Sequence, residues 1–406
     1  MIFGCALYDD EKLMQGGWAS IDGGDPFWFR THTDLPTDIV FVTNGDWAES
    51  VSSGKKQVPN LRLLTYFRSS VKAIMGDLAV EPNRVTFPVS AQILSSVFSQ
   101  TMKYAAGAYS LTVPPPTSLS ETIANRLVYG NDAEVAKMLP IDLVAALSAA
   151  YQKDSNCLTR WVQNSSLVTI RRNRVRHAYE LMDAWYPGEA WERVEGTRLP
   201  KKQAERMKFC LELDVPVLAK VSLTRMNSEI SNLMAYGVTL GMNPAVGARQ
   251  RLWMSHPELV WMSEYASVQI DEIYVGNEYR KLPAVLQMPK MFDDRMAAPL
   301  SYSAGLIAES HWAGLSTENW KTKFAPPRAV WMRSLDRATC YSMAKAFHDE
   351  HFVVQGYGYG GVTIRCPDYD IDRLGDFVTN AGFPFPVYLS KDLPTGILFA
   401  EEAVNA

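Results

Sequence analysis

The sequence contains no CxxC pair, no GxxxxGKS or GxxxxGKT loop, no HExxH, no GxSxG and no GxGxxG followed by a helix. Those absences leave no sign of the common zinc and dithiol sites, the phosphate-binding loop, the zinc-peptidase helix, the serine-hydrolase elbow or the dinucleotide fingerprint. The five cysteines, Cys5, Cys157, Cys210, Cys340 and Cys366, are scattered and odd in number. They signal neither a disulfide framework nor a metal site, which fits a reducing, cytoplasmic compartment or the inside of a virion. Charge is sparse: 21% of residues carry it, the net charge is −4 and the pI is about 5.9. A chain so balanced does not grip a polyanion with its whole surface, so a nucleic-acid contact is expected to be regional. The longest apolar stretches, such as LVAALSAAY at 143–151, fall short of the roughly 20 residues that cross a bilayer. The opening MIFGCALYDDEKLMQGG has neither the basic start nor the apolar stretch of a signal peptide, so no membrane partner is expected.

What is present is an ordinary globular composition, 47% apolar and 11% aromatic, in 406 residues. That length exceeds the roughly 250–300 residues at which single cores stop growing, so more than one domain is expected. Residues 2–8, 13–21 and 27–31 are β-rich and separated by Asp, Gly and Pro turns, and DIVFVTNGDW at 38–47 reads as a central strand. A helix is expected over 61–79, a strand over 84–90 and a helix over 91–106. The triple proline at 114–116 marks a linker, which sets a first domain at 1–113. From 117 to 326 the chain leans helical, at 131–139, 141–151, 166–186, 201–213, 225–236, 245–254 and 257–266, with extended chain over 268–290. Residues 291–326 carry no clear signal. From 327 to 406 the punctuation is sharp. Strand 328–334, a helix begun by Asp336, strands 351–357 and 361–366, a helix ended by Gly382 and strand 384–390 predict a ferredoxin-like βαββαβ domain with a tail.

The runs GCALYDDEKLMQGGWAS, DIVFVTNGDW and RVTFPVSAQI resemble the strand order of the ribonuclease H superfamily, and more narrowly the RuvC-type resolvases. The resemblance covers about a quarter of the chain. It implies carboxylates on the first and fourth strands that hold two metal ions across a phosphodiester. Asp9 or Asp10 matches the first position and Asp46 the second, with Asn44 competing for that place and no clear third acid following. A turn role for Asp9 and Asp10 is the simpler reading. The fold class expected is therefore α+β multidomain: a ribonuclease H-like mixed sheet with helices, a mainly helical middle and a ferredoxin-like end.

The densest basic segment is TIRRNRVRH at 169–177, with Arg171, Arg172, Arg174 and Arg176, and Arg160-Trp161 upstream. Arginines beside aromatics suit phosphate contact and base stacking, whereas the acids that follow, Glu180 and Asp183, suit an ion-paired face. VWMRSL at 330–335 resembles the first-strand motif of RNA-recognition modules and offers Trp331 as a stacking platform. His348 and His351 read as a helix end, and no metal site is expected from them. The function expected is a non-catalytic nucleic-acid-associated binding protein with a degenerate ribonuclease H-like domain. A structural or assembly subunit of a viral or phage complex, with protein partners or self-association, is the second reading, motivated by abundant Trp, Tyr and Met. A metal-dependent nuclease using Asp10 and Asp46 is the third, and only it calls for a cofactor, a divalent ion such as Mg.

Overall fold

The computed structural model describes residues 2–11, 13–45, 60–63, 82–109, 111–114, 135–151, 164–172, 184–226, 250–281, 312–318, 324–380, 388–391 and 397–399, with residues 71, 74, 75, 78, 80, 119, 122, 177, 180, 181, 233, 303 and 307 between them. The chain is a mixed α+β protein built on several sheets. No helix among the described residues is long and apolar enough to cross a membrane.

The first sheet holds β1 (Phe3–Asp10), β2 (Gln15–Ile21), β3 (Phe27–Phe29), β4 (Val40–Thr43) and β5 (Leu61–Leu63) in the order β3-β2-β1-β4-β5. β1 to β3 form an antiparallel meander, while β4 lies parallel to β1 and β5 parallel to β4. Period-two alternation gives β1 two buried faces. Phe3, Cys5 and Leu7 pack beneath α1 (Phe87–Tyr109) with Leu94, Phe98 and Met102, and Ala6 and Tyr8 pack with Phe29, Phe41 and Leu61 on the other side. Phe3 meets Phe98 edge-on at 5.2 Å, and each such fully buried ring contributes about 1.5–3 kcal/mol.

Two expectations are corrected here. Residues 84–90 are not a strand: Pro82–Arg84 form a 3-10 turn and α1 starts at Phe87. Pro88 sits in the first helical turn, where a missing N–H costs nothing, and Ala91, Leu94, Phe98, Met102 and Ala105 recur at helical spacing. The helix expected from 61 gives way at its start to β5, which fills the parallel edge beside β4.

Among its described residues the middle of the chain is not mainly helical. Its described residues supply β6 (Ser165–Arg171), β7 (Trp185–Pro187), β8 (Trp191–Arg193), β9 (Val217–Met226), β10 (Gln250–Ser255), β11 (Ala266–Gly276) and β12 (Tyr279–Lys281). They also supply α2 (Ile141–Tyr151), α3 (Gln203–Glu212) and α4 (His256–Tyr265), where helices are expected. The helix expected over 166–186 gives way to β6 and β7 at its two ends, while His177, Glu180 and Leu181 between them are helical, and the one expected over 245–254 gives way to β10. Short apolar runs such as SSLVTIR and QRLWMS do not distinguish a buried strand from a helix segment, and pairing decides them. The expected helix over 225–236 lies almost wholly outside the described residues. A second, antiparallel sheet runs β10-β9-β11-β8, and β7 pairs with β12 as a two-stranded ribbon.

The last sheet contains β13 (Val353–Gly358), β14 (Gly361–Pro367), β15 (Tyr388–Lys391) and β16 (Ile397–Phe399), joined by β6 in the order β13-β14-β6-β15-β16, all antiparallel. α5 (Pro327–Asp349) and α6 (Ile371–Asn380) pack with its inward side chains, Val168, Ile170, Val354, Val362, Ile364 and Cys366. The expected strand at 328–334 is instead the first two turns of α5. Pro326 and Pro327 open that helix, and Ala329, Val330, Trp331 and Met332 are all buried, so the segment shows no polar face to reveal its period. The place beside β14 expected for this strand is taken by β6, from the middle of the chain.

α5 is the axis of the molecule. Trp331 and Met332 join the core under α1, Ala329 and Val330 join the one with α2, and Cys340, Tyr341 and Phe347 join the one beneath the last sheet. Residues on both sides of 113–117 and of 326–327 thus share cores. α5 is tied to α4 by a buried ion pair, Arg337 Nε to Glu258 Oε1 at 2.8 Å, with the Ser334 hydroxyl donating to the second Glu258 oxygen at 2.9 Å.

Candidate functional site

The turn between β13 and β14 is tightly constrained and also faces solvent. Its central residues, Tyr359 and Gly360, have φ of 53° and 71°, the left-handed pair that a two-residue hairpin of matching twist requires. Glycine and asparagine adopt that conformation readily; a tyrosine in it costs about 1–2 kcal/mol. Gly360 admits no side chain, because a Cβ there would stand 2.8 Å from His177 Cδ2.

The strained turn is held from below by Asp336, in the third turn of α5. One carboxylate oxygen accepts the Tyr359 N–H at 2.5 Å; the other accepts the Gly360 N–H at 2.9 Å and His177 Nε2–H at 2.7 Å. His177 Nδ1 stands 3.1 Å from an Arg172 guanidinium nitrogen, which can only donate, so Nδ1 is the acceptor and the ring proton sits on Nε2. Arg172 donates onward to Glu180 at 2.8 Å. The main chain closes the loop, since the Arg172 N–H donates to the Gly360 carbonyl at 2.8 Å. A relay thus runs from Glu180 through Arg172 and His177 to Asp336 and the turn.

Burial by itself would raise the Asp336 carboxyl; the hydrogen bond from His177 and those from the two turn amides outweigh it and hold the group below the usual carboxylate range. Cys340, one turn along α5, places its thiol 3.7 Å from the same carboxylate oxygen, and burial and that negative neighbour push it well above an ordinary thiol. The donor atoms of His177, Asp336 and Cys340 lie within 4.8 Å of one another, which is metal-ligand spacing. Here the Nε2 proton and the Asp336 oxygens are engaged with each other and with the turn.

Above this buried base, Tyr359 is 63% exposed. The Arg333 guanidinium lies 5.4 Å from its ring centre and 3.9 Å from that of Tyr151, and Trp312 meets the Tyr359 ring edge-on at 6.3 Å. Alongside, the face of the last sheet turned away from its helices carries half-buried polar groups. Thr169 and Thr363 hydroxyls are 3.2 Å apart, and Arg365 donates to Gln355 at 3.2 Å. Hydroxyl, amide, guanidinium and phenol ring are groups that contact sugar, phosphate and base.

The residues expected from the sequence fall elsewhere in part. Asp9 and Asp10 end β1, exposed, and Asp10 accepts the Leu13 N–H at 2.9 Å as a turn residue. Asn44 brackets β1 instead of replacing a carboxylate: it accepts the Tyr8 N–H at 2.8 Å and donates to the Tyr8 carbonyl at 3.1 Å and to Glu11 at 2.9 Å. Asp46, Arg160, Arg174 and Arg176 lie outside the described residues. Arg171 ends β6 with its main chain opposite Gly361, and only its main chain is described. Arg172 turns inward to His177. Trp331 is corrected: it stands in α5, buried, with His256 and Tyr279 edge-on at 6.4 and 5.6 Å, and offers no stacking surface. His177, Asp336, Cys340, Arg333 and Tyr359 were not expected at a site, and Asp336, expected to begin a helix, lies in the third turn of α5. The legible hints were GYGYGG as a tight turn and the i, i+4 spacing of Asp336 and Cys340.

The fold and site thus define a mixed α+β chain with a braced, aromatic hairpin tip. No family model and no curated protein matches it. Among solved structures it is similar to Phi29 DNA polymerase complexed with primer-template DNA and incoming nucleotides, with 10% identity over 91% of this chain and 82% of that one and a TM-score of 0.45. The orthorhombic crystal form of Phi29 DNA polymerase gives 10% identity, 89% and 80% coverage and a TM-score of 0.47. The family B DNA polymerase of the archaeon Pyrobaculum calidifontis gives 10% identity over 96% of this chain and 56% of that one, with a TM-score of 0.23. Likenesses at these scores assign the chain to no family.

Proposed function

We propose that the chain is a non-catalytic nucleic-acid-binding protein whose contact surface is the β13–β14 tip and the arginine-rich segment that leaves β6. One observation carries this reading: the 2.8 Å main-chain bond from Arg172 to Gly360 sets the start of that segment against the exposed Tyr359. Cations that track phosphates beside a ring that meets a base are the elements of sequence-tolerant nucleic-acid binding. The first sheet is a degenerate ribonuclease H-like domain in this reading. Its order β3-β2-β1-β4-β5, with β4 and β5 parallel to β1, supports that, and Asp10 and Asn44 serve the local structure there.

The test is fluorescence anisotropy with a labelled oligonucleotide across a salt series. Affinity is expected to fall log-linearly with salt, and replacing Arg171, Arg174 and Arg176 together by Ala to reduce the slope by roughly 2, about 0.7 per lost contact on a single strand. Arg172 is left intact because its side chain holds His177. Binding indifferent both to salt and to the triple substitution overturns the proposal.

A further inference from the structure

We propose that Tyr359 is a stacking platform for one unpaired base, which makes single-stranded nucleic acid the ligand class; this rests on the nucleic-acid reading above. Tyr359 occupies a left-handed position that glycine or asparagine would fill without strain. A bulky residue kept in such a conformation is costly, and the surrounding structure over-determines it. Both turn amides are bonded to a buried carboxylate, that carboxylate is bonded to a buried histidine, and the neighbouring glycine leaves room for the histidine ring. All of this machinery fixes the position of one ring that is 63% exposed.

The ring's neighbours fit the same use. Arg333 lies over it at 5.4 Å and is itself seated on Tyr151 at 3.9 Å, so its cation is held where a nucleotide phosphate or a second π-face would lie. The Arg333 Nε donates to the Ser316 carbonyl at 3.3 Å, which orients the guanidinium plane. Trp312 packs edge-on against both Tyr359 and the His177 ring, closing one side of the site and linking it to the core. A base within a duplex already has both faces covered by its neighbours and cannot lie on Tyr359. An unpaired one can.

The experiment compares wild type, Tyr359→Phe and Tyr359→Gly, using a fluorescent short oligothymidylate, a blunt duplex of equal charge and a single strand carrying one 2-aminopurine. Wild type and Tyr359→Phe are expected to favour the single strand and to quench 2-aminopurine. Tyr359→Gly is expected to lose about tenfold or more on the single strand, to bind the duplex unchanged and to lose the quench. Its thermal midpoint should not fall, because glycine relieves the left-handed strain; that separates loss of the ring from loss of the fold. Equal affinity for both ligands in wild type, or an unchanged single-strand affinity in Tyr359→Gly, overturns the inference while leaving nucleic-acid binding in place. Salt-independent or absent binding of both ligands overturns the parent reading and this one with it.

Discussion

His177 and Asp336 are 159 positions apart, yet the molecule sets their bonded atoms 2.7 Å from each other beneath a turn with no room for a methyl group. Gly360→Ala should therefore destabilise the protein by about 2 kcal/mol, from the left-handed backbone and the displacement of His177 together. Urea unfolding measures this, and an unchanged midpoint would show that the turn is not held against the histidine. At this scale the sequence was readable where a residue acts on its own neighbours. The turn roles of Asp10 and of the glycines at 358–361 are local, so spacing reveals them. The His177–Asp336 bond is set by the packing of α5 on the last sheet, and no window of sequence contains both residues.

Among the elements, α5 shows why some were legible and others not. α2 and α3 lie beside Pro140 and Pro216 and α4 holds Pro257 in its first turn, prolines that punctuate them in the sequence, and their positions were readable to within a few residues. α5 is buried along most of its circumference, so its first two turns resemble a strand covered on both faces. Ser334, Asp336 and Arg337 are buried polar residues of this helix, and Ser334 and Arg337 surround Glu258, which is fully buried. Removing one member of a buried pair strands the other charge. Glu258→Ala should cost about 3–5 kcal/mol in chemical denaturation, and a double change that also replaces Arg337 with Met should recover part of that loss. Equal losses in the single and double variants would mean that packing volume, and not the ion pair, dominates.

For the whole molecule, the relay at the hairpin ties together three parts of the chain, β6 with the segment after it, α5, and β13–β14, so its titration bears on global stability. The Asp336 carboxyl is held below its ordinary value in the folded state. A group so depressed adds stability above its unfolded value of about 3.9, and that contribution drains away as pH falls through the lower folded value. Thermal midpoints of wild type and Asp336→Asn should differ by a constant amount at neutral pH and converge below about pH 4. A gap that stays constant into acid would show that the charge of Asp336 contributes nothing. The α+β class and the first four strands of the first sheet were legible because those strands are neighbours in sequence, whereas the short β5 read as the start of a helix. The composition of the last sheet was not, because its central strand arrives from far upstream.

That upstream strand sets a waiting time. β6 leaves the ribosome long before its partner in the sheet, as the bond from Ser166 to Asp368, 202 positions later, makes plain. At roughly 5–20 residues per second, the nascent chain carries an unpaired, β-branched strand edge for about 10–40 s. During that interval SSLVTIR is a template open to any other extended chain, so yield in the cell should depend on what shields this segment as well as on the stability of the finished protein.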